Sequence, residues 1–79
     1  MRLGKAVINR IKQIIKDKGL TQYQLSKITG ISQSTLSTVL SGTTETLKLT
    51  TLYEICSGLN IEFSDFFNVD YLKLENIED

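Results

Sequence analysis

The sequence predicts a small all-α domain of five helices, followed by a short C-terminal extension. Three observations lead there. Apolar residues recur at helical spacing through residues 1–18. Capping residues and glycines punctuate residues 19–42. Strand-like alternation is absent before residue 69.

A chain of 79 residues makes one domain, and an apolar fraction of 41% is enough to build a core. In the first helix, placed at residues 4–18, Val7, Ile8, Ile11, Ile14 and Ile15 fall on one face. Lys16 and Lys18 stand where the helix dipole favours cations, and Gly19 can end the helix in the left-handed conformation. Helix two begins after Thr21, a good N-cap, and Gln24 completes a capping-box spacing; Leu25 and Ile28 are expected to point inward. Gly30 reads as the left-handed turn residue. Helix three is placed at residues 32–41, capped by Ser32 and closed by Gly42.

A polar loop follows at residues 43–49. Helix four is placed at residues 51–59, with Thr50 or Thr51 as its cap and Leu52, Ile55, Cys56 and Leu59 as its buried stripe. Asn60 is a plausible helix-ending residue. A fifth helix over residues 63–67 brings Phe63, Phe66 and Phe67 to close the core. The domain is therefore assigned to residues 1–68, with the helix-turn-helix at about 21–41 and a tail at 69–79. The tail alternates weakly, with Leu72 and Leu74 on one side. That pattern is compatible with an edge strand, a swapped arm or a frayed end.

Composition narrows function. The chain has no His and a single Cys. Ser-His-Asp and Cys-His catalysis are thereby excluded, as are most zinc sites, and Cys56 reads as a core residue. The expectation is a non-enzyme with neither cofactor nor metal. No apolar run is long enough to span a membrane, and the N-terminal stretch is not a signal peptide, so a cytoplasmic location is expected. Net charge is zero but unevenly placed. Residues 1–48 hold eight cations against two anions, a surplus of six, and residues 49–79 hold one against seven, a deficit of six. The basic half suits phosphate contact.

Helix three carries the most specific signal. Stepping about 100° per residue from Gln33 sets Ser34, Ser37, Thr38 and Ser41 on one side and Leu36, Val39 and Leu40 on the other. The polar side holds no charge, unlike most solvent-facing helix surfaces. Hydroxyls and an amide can approach base edges, and a Gln in the first turn can bond adenine through both ends of its amide. The free N–H groups at the starts of helices two and three are natural phosphate sites, where Gln22 and Ser32 add polar side chains.

These residues resemble the Cro/repressor-type (XRE) helix-turn-helix family. The similarity is carried by Leu20-Thr21-Gln22, Leu25-Ser26, Gly30-Ile31-Ser32, Thr35-Leu36-Ser37, Ser41-Gly42, Thr51-Leu52, Ile55 and Leu59-Asn60-Ile61. It implies a compact five-helix, lambda-repressor-like DNA-binding domain that acts as a dimer, with helices four and five as its dimer region. It also implies phosphate contact at Gln22 and major-groove contact at Gln33, Ser34, Ser37 and Thr38. Two departures stand out. Ile15 and Leu40 occupy the places of a partly buried ion pair found in many members, and they are expected to touch. Thr38 and Thr43 stand where Arg or Lys is common, which shifts phosphate contact onto Arg10, Lys27 and Lys48, or onto backbone amides.

The expected function is a sequence-specific DNA-binding regulator, a repressor that binds an inverted repeat of double-stranded DNA as a homodimer. The alternative is an antitoxin or other interaction module that engages a protein partner through its acidic, aromatic C-terminal part.

Overall fold

A computed structural model describes residues 1–42 and 46–79. Its helices are α1 (Leu3–Asp17), α2 (Gln22–Thr29), α3 (Gln33–Leu40), α4 (Leu49–Leu59) and α5 (Phe63–Phe66). Two 3₁₀ turns follow, at Asp70–Leu72 and Leu74–Asn76. Part of the expected polar loop, with Thr43, lies outside the described residues.

The chain folds helix by helix for local reasons. α1 buries Ala6, Val7, Ile8, Ile11, Ile14 and Ile15. It ends in a Schellman motif: Leu20 N–H donates to Ile15 O at 2.9 Å and Gly19 N–H to Lys16 O at 3.1 Å, with Gly19 at φ +66°. α4 ends the same way around Asn60, at φ +56°. Thr21 and Gln24 form the capping box of α2, and Ser32 accepts from Thr35 N–H at the start of α3. Leu25, Leu36, Ile11, Ile55 and Phe66 meet at the centre, each almost fully buried. Burying a side chain of that size stabilises by roughly 1.5–3 kcal/mol relative to leaving it in water. Leu40 is half-buried and packs against the core cluster that contains Ile15.

α2 crosses α4 closely. A Cβ placed on Gly58 would lie 2.9 Å from Thr29 Cγ2 and 3.2 Å from Thr29 Cα. Gly58 therefore sets how near the helix-turn-helix sits to α4.

Four expectations need correction. α4 starts at Leu49, two residues early, and Lys48 caps it without a side-chain bond, so neither Thr50 nor Thr51 is the cap. Ile28 is 46% exposed because it lies beside the α2–α4 contact and not beneath it. Of the three Phe residues only Phe66 is buried; Phe63 and Phe67 keep 44% and 37% exposure, because a one-turn helix can turn only one of them inward. The tail is neither strand nor frayed end. Its 3₁₀ turns bury Leu72 against α1 and leave Leu74 92% exposed, so the two do not share a side. Tyr71 O–H donates to Gln13 Oε1 at 2.9 Å, and Leu3 N–H donates to an Asp79 carboxylate oxygen at 2.7 Å.

Candidate nucleic-acid interface

α2 and α3 are joined through Gly30, whose φ of +77° only glycine adopts without strain. Three side-chain bonds fix the turn. Ser26 Oγ donates to Ile31 O at 2.6 Å, Thr29 Oγ1 donates to Leu25 O at 2.8 Å, and Ile31 N–H donates to Thr29 Oγ1 at 3.2 Å. These polar groups are partly buried, and leaving one unpaired would cost about 1–3 kcal/mol. The angle between the helices is therefore held by chemistry as well as by packing.

The helix starts are tied together too. Gln22 Nε2 donates to Gln33 O at 3.2 Å, bringing the N-termini of α2 and α3 side by side. Both ends carry partial positive charge and free N–H groups, which suits a phosphate.

The outer side of α3 has the predicted composition. Gln33, Ser34, Thr35, Ser37 and Thr38 are exposed, while Leu36 and Val39 are buried. Among the described residues, the side chains of Gln33, Ser34 and Ser37 make no hydrogen bond, so their donors and acceptors are open to a ligand. Thr38 Oγ1 donates to Ser34 O at 3.1 Å. Ser32 Oγ accepts from Thr35 N–H and donates to Thr35 Oγ1, so this hydroxyl is occupied as a cap.

The cations divide. Lys48 joins Ser34, Thr35, Thr38, Thr46 and Thr51 around a groove of about 300 Å³ between α3 and the start of α4. Lys27, exposed in the last turn of α2, holds its ammonium 5.4 Å from the Tyr23 ring centre. Arg10 is engaged elsewhere: its guanidinium donates to Phe66 O at 2.7 Å, Asp65 O at 3.0 Å and Gln13 Oε1 at 3.1 Å. It closes the end of α5, a role sequence could not show because its partners are backbone carbonyls 55 and 56 residues away. Thr35, Thr46 and Thr51 line this groove, although the sequence offers none of them as a DNA contact. Thr35 falls between the two sides of the helical wheel, and the others need the position of α4.

A second surface is apolar. Leu49 and Tyr53 on α4 are 76% and 59% exposed, and Leu49 shares a groove with Leu3 and Phe67, Tyr53 one with Phe63. Burial pushes the Cys56 thiol above its ordinary pKa, and the positive charge of Arg10 opposes this less strongly. Among the described residues no group of His, Cys, Asp or Glu could hold a metal ion, and no helix is long and apolar enough to cross a membrane.

Comparison with known proteins agrees with this geometry. A family model described as "Cro/C1-type HTH DNA-binding domain" matches residues 10–70. No curated protein and no solved structure matches the chain.

Proposed function

Because the chain belongs to the Cro/C1-type helix-turn-helix DNA-binding family, we propose that it is a sequence-specific transcriptional regulator, a repressor that binds an inverted-repeat operator as a homodimer. The carrying observation is the uncharged outer side of α3, with the side chains of Gln33, Ser34 and Ser37 unengaged among the described residues.

In this reading α3 lies in the major groove. Gln33 meets an adenine edge, Ser34 and Ser37 bond bases or phosphates, and the Thr38 methyl meets a thymine methyl. The paired starts of α2 and α3, with Gln22 and Ser32, hold one phosphate through backbone N–H groups. Lys48, at the threonine-lined groove, takes a second, and Lys27 supplies further attraction. Arg10 drops out of the contact set, because its donors serve the α5 carbonyls. The apolar face of Leu49, Tyr53, Phe63 and Phe67 supports pairing with a second copy. Two-fold pairing would set the reading helices about 34 Å apart. An interaction module acting through the tail has less support, since Leu72 is buried and Tyr71 is bonded to Gln13.

Selection from random duplexes tests this directly. An enriched inverted repeat is expected, and Gln33→Ala should weaken binding by about 1–3 kcal/mol and relax one base position in each half-site. Absence of any enriched site at low salt would overturn the proposal.

A further inference from the structure

The three lysines on the outer side of α1 are absorbed by none of these contacts. Lys5, Lys12 and Lys16 fall within about 40° of one another on the helical wheel, with Asn9 beside them. All four are exposed, and none of the three lysines has an ion-pair partner among the described residues.

At the C-terminal half of this stripe the tail builds one wall of a groove of about 350 Å³, lined by Asn9, Lys12, Gln13, Lys16 and Tyr71. No acidic residue lines it. Asp70, the acid next to Tyr71, is paired with Lys73 at 3.3 Å. Gln13 decides the groove's polarity. Its Oε1 accepts from both Arg10 and Tyr71, and because a guanidinium only donates, the oxygen must face them. The amide N–H₂ of Gln13 is left out of both bonds. Two ammonium groups and an oriented amide donor make a site for an oxyanion.

We propose that this stripe grips the phosphodiester backbone of DNA beyond the base-read site. The proposal rests on the DNA-binding reading above and extends its footprint. Lys5 and Lys16 are 11 residues apart, about 16 Å along the helix, which matches the axial rise of about five phosphates on one strand. The Lys16 end of the stripe lies near the reading unit along the chain, since four residues separate the end of α1 from the start of α2.

The test compares the full chain with the variant Lys5→Gln/Lys12→Gln/Lys16→Gln on the selected duplex, with long and with trimmed flanks. Gln keeps helix propensity close to that of Lys, and circular dichroism confirms the fold. The plot of log affinity against log salt should lose about two to three units of slope per bound protomer on the long duplex. Base preference should stay the same, and trimming the flanks should remove the difference. An unchanged slope in a parent that still selects its site overturns the inference and leaves the base-reading proposal standing. A parent that binds no duplex overturns the base-reading proposal itself. Binding to poly-glutamate that the variant loses, with its DNA slope unchanged, assigns the stripe to an acidic protein and overturns the inference as well.

Discussion

Gly58 offers a test of the fold in which two opposing effects must be weighed. Replacing a helical glycine with alanine stabilises by up to about 1 kcal/mol through helix propensity, and by less at Gly58, the next-to-last residue of α4. Here the new methyl would stand 2.9 Å from Thr29 Cγ2, 3.2 Å from Ile28 Cγ2 and 3.2 Å from Thr29 Cα. The Thr29 methyl cannot swing aside freely, because its hydroxyl donates to Leu25 O and accepts from Ile31 N–H. Overpacking of this kind costs about 1–3 kcal/mol. The sum is a net loss of about 1 kcal/mol for Gly58→Ala, a fall of roughly 4–8 °C in Tm for a domain of this size. Thr29→Ser keeps the hydroxyl and removes the methyl. In that background Gly58→Ala should cost less, since only the 3.2 Å contacts with Ile28 Cγ2 and Thr29 Cα remain, which gives a coupling of about 1 kcal/mol in a double-mutant cycle. Urea unfolding followed by circular dichroism measures all four proteins. If Gly58→Ala stabilises equally in both backgrounds, the close α2–α4 approach is wrong.

Two further outcomes follow from described contacts. Arg10→Ala should lower stability by about 2 kcal/mol, since charged hydrogen bonds to the α5 end are lost from a partly exposed site. The DNA salt slope should not change, which titrations at several salt concentrations would check. Cys56 is 3% exposed and its thiol is raised by burial, so iodoacetamide should label it at mildly alkaline pH only after denaturant is added, as mass spectrometry would show.

The helix-turn-helix was legible because its signals are local. Thr21, Gln24, Gly30 and Ser32 act within a few residues of themselves, and each does what its chemistry suggests. The outer side of α3 was legible for the same reason: a helical wheel needs no partner. Contacts made across the fold were not. Gly58 looks like a weak point in a helix until α2 is laid against it. Arg10 looks like a phosphate ligand until Asp65 and Phe66 arrive beneath it. The tail misled because alternation of Leu72 and Leu74 carries the period of a strand, whereas the first 3₁₀ turn packs Leu72 on α1 and the second leaves Leu74 in solvent.

The bond from Gln22 to Gln33 has a consequence for retargeting. It ends on the backbone oxygen of Gln33 and leaves that residue's side chain outside it. Position 33 is therefore a replaceable letter: any residue compatible with the first turn of α3 keeps the brace. Position 22 is the pin. Changing it unties the start of α3 from the start of α2 and leaves the bonds of the Gly30 turn to hold the two helices. Under the proposed reading, a library meant to alter recognition would vary positions 33, 34 and 37 and hold Gln22 fixed.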